Sequence, residues 1–122
     1  MGKELSKRFV LQLSPKGEKI KVQGQEIETR DVEIAMLTSL FDLAASNQKS
    51  FRAANECLDC VGQIEGLADG DTEILLTQQD IDYLKVGYEK SADQRPTAWN
   101  RCRNLMAQLA DPKEKTEETK SA

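Results

Sequence analysis

The chain has 122 residues, 39% apolar and 31% charged, with a formal net charge of −4 and no histidine. That length fits one domain able to bury roughly two-thirds of its unfolded surface, and no apolar run approaches the roughly 20 residues of a membrane-spanning helix. Without histidine, Ser-His-Asp and Cys-His catalysis within one chain are excluded and the commonest metal ligand is missing; the glycines form neither of the usual phosphate-binding patterns.

The first residues, MGKELSKRFVLQLSPKG, are basic but lack a long apolar region or a small-residue cleavage site, which predicts a cytoplasmic protein without a signal peptide. Met1-Gly2 and Ser6 fit the start of a myristoylation motif. That pattern is short and common, and an ordinary start is the expectation. Residues 8–23 read as an antiparallel β-hairpin. Phe9, Leu11 and Leu13 alternate with Val10 and Gln12, and Ile20 and Val22 alternate with Lys19, Lys21 and Gln23. Ser14-Pro15-Lys16-Gly17 supplies the β-turn between them. Gln23-Gly24 marks another bend, and Ile27 opens a short extended link.

Residues 30–46 read as a helix with a broad apolar stripe (Val32, Ala35, Met36, Leu40, Leu43 and Ala44, widened by Ile34, Leu37 and Phe41), as expected of contact with two neighbours. Ser50 caps a second helix over about 51–66. Ala68-Asp69-Gly70-Asp71 is a turn. Its alternating acids do not match a calcium loop, because position six from Asp69 is Ile74 and position twelve is Asp80. Residues 73–76 predict a strand joining the hairpin as a third partner. Thr77 and Asp80 form a capping box opening a helix over about 78–91. Pro96 fits the first turn of a last helix, 96–110, with a seam of Trp99, Cys102, Met106 and Leu109. Residues 111–122 predict a disordered charged tail, since no apolar residue after Pro112 other than a final Ala offsets the entropy of ordering it. The expected fold is α+β, a single domain over 1–110 with a two- or three-stranded antiparallel sheet and about four helices.

Cys57 and Cys60 form a C-x-x-C pair in the middle of the second helix, beside Glu56 and Asp59. Redox pairs place the first thiol at a helix N-terminus, where the dipole favours the thiolate; this placement does the opposite. Helical Cβ atoms three apart stand roughly 5–6 Å from one another, too far for a disulfide. Three cysteines without histidine do not complete a zinc site, so the sulfurs are expected to be packing material. The sequence thus predicts no catalysis, no metal and no cofactor.

Charge is uneven. Residues 31–94 hold four Lys/Arg against thirteen Asp/Glu, whereas 95–110 hold three Arg and no acid. The acidic middle disfavours phosphates and anionic membranes. Two functional readings remain. The first is a non-catalytic protein-binding domain, using an open sheet edge or leftover apolar surface on the 30–46 helix, for a partner or for a homo-oligomer. The simpler account covers that surface inside the monomer. The second is a helix-turn-helix nucleic-acid binder, with Thr97, Asn100, Arg101 and Asn104 in the groove and Arg95 and Arg103 on phosphates. Against it stand the acids Asp80, Asp82 and Glu89 and a long connection without glycine.

A basic start and hairpin (RFVLQLSPKGEKIKVQGQEI), an apolar dipeptide before a capped helix (EILLTQQDIDYLKVGYEKSA) and a W-x-x-C-x-x-x-M-x-x-L helix with a charged tail complete the pattern. It resembles small accessory proteins of tailed bacteriophages and prophages. The resemblance implies a bacterial cytoplasm, a protein partner and a role in virion or tail assembly, or else as an inhibitor of a host protein. It transfers no functional residue.

Overall fold

Gln23 and Gly24 both adopt positive φ, 54° and 84°. Two such residues make the hairpin turn whose twist matches that of the strands it joins. In the computed structural model, which describes residues 8–114, the hairpin therefore forms around this turn, between β2 (Lys19–Val22) and β3 (Gln25–Glu28), with Ile20 opposite Ile27. The hairpin expected over 8–23 is corrected. β1 (Arg8–Gln12) pairs instead with β4 (Glu73–Thr77), Phe9 opposite Leu76 and Leu11 opposite Ile74. The Pro15–Gly17 turn is present, closed by Glu18 N–H donating to Pro15 O, but it redirects the chain between two sheets.

The fold is α+β, with an antiparallel sheet in the order β4-β1-β5 and the separate β2-β3 hairpin. The third strand of this sheet is β5 (Lys113–Glu114), which pairs with β1 and comes from a stretch expected to be disordered. The remainder of that tail, and the Met1-Gly2 pattern with Ser6, lie outside the described residues.

Three helices follow their sequence signals: α1 (Thr29–Ser46), α2 (Phe51–Glu65) and α3 (Gln78–Lys90). Ser50 Oγ accepts from Ala53 N–H at 3.1 Å to cap α2. Both arms of the Thr77–Asp80 capping box form, at 3.0 and 3.1 Å. α1 is the central element, packed between α2 and α3, and its Met36, Leu37, Leu40, Phe41 and Ala44 are buried in one cluster with Leu11, Ile74 and Leu76. Most of the broad stripe is thus covered within the monomer, although Ala35 is exposed.

The last helix is not continuous. Thr97–Arg101 is a 3₁₀ segment, Cys102 breaks the helix with ψ 64°, and α4 covers Arg103–Ala110. Trp99, Cys102 and Leu105, three apart, are all buried. Spacing by three suits 3₁₀ geometry, whereas an α-helix would rotate such a row away from the core. Leu105 replaces Met106 and Leu109, both only half-buried, as the anchor of α4.

The loop leading into β4 is fixed from α1. Buried Arg30 donates to Ala68 O at 2.8 Å and also to Asp71 O, while Asp71 accepts from Ala68 N–H at 3.0 Å. The acids of this turn are thereby engaged in local contacts, including an exposed Lys16–Asp69 ion pair at 3.1 Å.

Candidate functional site

The two edges of the β4-β1-β5 sheet are treated differently. Leu13 N–H donates to Thr72 O at 2.7 Å, which sets the phase of the ladder. With Leu11 opposite Ile74 and Phe9 opposite Leu76, the backbone groups of residues 72, 74 and 76 face β1, and those of Glu73 and Leu75 face away from it. Among the described residues no strand pairs with that side of β4. Both Glu73 and Leu75 are exposed, Leu75 at 36%.

On the other edge, Val10 is paired with Lys113 of β5. At Gln12 the side chain of Gln108 substitutes for a strand: its Oε1 accepts from Gln12 N–H at 2.7 Å, and its Nε2 donates to Gln12 O at 2.9 Å. Native sheets usually protect an edge with Lys, Pro, a bulge or a cover. The β4 sequence Glu-Ile-Leu-Leu-Thr has neither Lys nor Pro. Inward Ile74 and Leu76 anchor the strand in the core.

Where β4 passes into α3, a cleft of about 550 Å³ opens, lined by Glu56, Asp59, Cys60, Gln63, Gln79 and Asp80. Tyr83 donates to Glu56 at 2.6 Å, and the Cys60 thiol donates to Asp80 at 3.3 Å. Burial, then Glu56, pushes the Tyr83 hydroxyl well above its usual range; burial, then Asp80, does the same to the Cys60 thiol. Cys57 is pushed up to about 11, by burial first and then by Glu56 and Asp80. Cys102 is pushed up to about 11 by burial and then by Glu33. All three cysteines are free and buried. Protonated thiols are poor nucleophiles and poor metal ligands. Among the described residues no group of three or more Cys, Asp or Glu is placed to hold a metal ion.

Other cavities lie around α4. An apolar groove of about 320 Å³ runs between α1, α3 and α4 past Met36, Leu84, Tyr88 and Met106. A polar pocket of about 170 Å³ between the hairpin and α4 contains Glu33, Thr29, Arg101 and Arg103.

The residues named for nucleic-acid binding do not share one continuous helix, although Arg101, Arg103 and Asn104 line one pocket. Arg95 is half-buried and tied to the end of α3: it donates to Ser91 Oγ at 3.0 Å and to Tyr88 O at 2.7 Å, and it stacks 3.6 Å from the Tyr88 ring centroid. Thr97, Asn100 and Arg101 are exposed on the 3₁₀ segment, and Arg103 and Asn104 are exposed at the start of α4, beyond the break. An α-helix of eight residues replaces the expected recognition helix of fifteen. An open sheet edge is expected from the sequence, but the sequence does not say which strand carries it. Alternation marks Glu73 and Leu75 as outward-facing, but which edge is open depends on a pairing that no local pattern encodes. Gln108 gave no signal.

Comparisons of the chain with protein-family models, with curated proteins and with solved structures give no match. No helix among the described residues is long and apolar enough to cross a membrane.

Proposed function

We propose that this chain is a non-catalytic protein-binding domain that receives an extended segment of its partner on the open edge of β4. The observation that carries this reading is the asymmetry of the sheet: β5 and Gln108 close one edge, and the outward backbone groups of Glu73 and Leu75 leave the other available. Main-chain hydrogen bonds of an added strand supply affinity, and side chains on alternate positions supply specificity. The Val10–Leu75 pair on the solvent face offers the apolar contact such a strand needs. The chemistry supports a non-catalytic role, since histidine is absent and the thiols are held protonated. The overall pattern, which resembles phage accessory proteins, makes a protein of virion or tail assembly the first partner to test, and a bacterial host protein the second.

The test uses Leu75→Pro. Its N–H faces away from β1, so proline removes a donor needed by a partner strand and no bond of the ladder. Partners captured by the wild-type chain from bacterial cytoplasm are expected to be lost with Leu75→Pro at unchanged circular dichroism. Hydrogen exchange should show the Leu75 amide becoming protected on binding. Capture unaffected by the substitution would overturn the assignment to this edge.

A further inference from the structure

Helix α2 has a second face that the other described residues leave uncovered. Its inner side places Cys57, Cys60 and Ile64 in the core. Its outer side carries Phe51, 92% exposed, and Leu58, 47% exposed, seven residues apart. Asn55 and Gly62 complete a row at spacings of four, three and four, the seam spacing of a two-helix coil. A Cβ built at Gly62 would meet nothing within 4 Å, so the space above that glycine is open.

We propose that this face is the interface of a homodimer in which α2 packs antiparallel against α2 of a second copy. The row is self-complementary under a two-fold axis. Phe51 falls opposite Gly62 of the second copy, and Asn55 falls opposite Leu58, each pair occurring twice. The largest side chain of the row thus meets the one position with no side chain. Charge agrees with the same register. Arg52 and Asp59 occupy the same flank of the seam, and antiparallel packing sets Arg52 beside Asp59 of the second copy, again twice. Taken alone, α2 has no acid in its first turn and no base in its last. Lys49 and Arg52 lie at its positive end and Glu65 at its negative end, the reverse of what the helix dipole favours. An antiparallel second copy brings the cations of each helix to the acids of the other and removes that mismatch. Four turns of one helix pair make a contact smaller than about 1,200 Å², so the dimer is weak and forms with rising concentration.

Sedimentation equilibrium from about 1 µM to about 1 mM protein tests this. The mean mass is expected to rise from 13.7 kDa toward twice that value. Phe51→Ser and Gly62→Leu should each hold the mass at the monomer value at every concentration. Both positions are exposed, so helicity by circular dichroism should persist. Arg52→Glu and Asp59→Arg should each abolish association singly, and the double variant should restore it. A wild-type chain that stays monomeric throughout would overturn the proposal, as would association that survives Phe51→Ser and Gly62→Leu. Failure of the double charge exchange to restore the dimer would overturn the antiparallel register.

Discussion

Gly87 of α3 crosses α1 directly over the backbone of Leu40. A Cβ at Gly87 would overlap the Leu40 carbonyl and stand 2.9 Å from its Cα. Helix propensity alone favours alanine over glycine by about 1 kcal/mol. Here the overlap is with backbone, which cannot rotate away, and overpacking a fixed contact costs about 1–3 kcal/mol. Gly87→Ala is therefore expected to lower the urea midpoint. Gly62→Ala, in open space on α2, is expected to raise stability by up to about 1 kcal/mol at monomeric concentrations. Opposite signs for the same substitution in two helices of one chain would separate close crossing from propensity.

Gln108 is the lock on the β1 edge. Gln108→Leu keeps the bulk and removes both bonds to Gln12, leaving its N–H and C=O without that partner. Two neutral hydrogen bonds at a partly exposed site are worth about 1–2 kcal/mol together. The loss should appear in the urea midpoint. It should also create a second open edge beside the unprotected β4 edge, so turbidity at high concentration is expected to rise more than after an equal destabilisation elsewhere.

The thiols should be nearly inert in the folded chain. With Cys57 and Cys102 pushed up to about 11, only about one in a thousand of either is thiolate at pH 8. Cys60 is raised further in the same direction. A thiol-reactive chromogen at pH 8 is expected to react slowly with the native protein and at once with all three cysteines in denaturant. Rapid reaction of one equivalent in the native state would contradict the burial that sets these shifts.

Helices proved more legible than strands, for a physical reason. The stripe of α1, the Ser50 cap and the Thr77–Asp80 box are contacts within a few residues, so the sequence displays them directly. Strand pairing joins distant segments. Residues 8–12 and 19–22 both alternate, and the Pro-Gly turn between them suggested that they pair. The decisive signal is Gln23-Gly24, two adjacent residues that take positive φ between alternating runs and so make a tight hairpin turn rather than a simple bend. The 96–110 segment carries two apolar periods: Trp99, Cys102, Met106 and Leu109 fit an α-helix, whereas the buried Trp99, Cys102 and Leu105 follow a spacing of three. The open β4 edge, the Gln108 lock and the buried carboxylate of Glu33 depend on tertiary neighbours, and nothing local announces them.

Glu33 gives the fold a pH dependence of known sign. Its carboxylate is fully buried, accepting from Ser14 N–H at 2.7 Å and Ser14 Oγ at 2.9 Å. Burial pushes its pKa above the usual carboxylate range; the Ser14 bonds and Arg30 oppose this, and Glu18 adds to it. The folded chain thus holds this proton more tightly than the unfolded chain does. Its contribution to stability is full below the unfolded pKa, about 4.3, and is lost as pH rises through the raised folded value. Other carboxylates superimpose their own slopes, so the difference between wild type and Glu33→Gln isolates the effect. Glutamine can accept from Ser14 N–H and donate to Ser14 Oγ without a charge. Unfolding free energies measured by urea between pH 4 and 8 should show wild type losing ground to Glu33→Gln as pH rises, by at most about 1.4 kcal/mol per pH unit, and then levelling off. Glu33→Ala should show the same pH-dependent difference, displaced by a further cost of about 1–3 kcal/mol relative to Glu33→Gln at every pH, because it leaves the Ser14 donors unpaired in a buried site. A difference between wild type and Glu33→Gln that does not change with pH would show that the carboxylate titrates alike in the folded and unfolded chains.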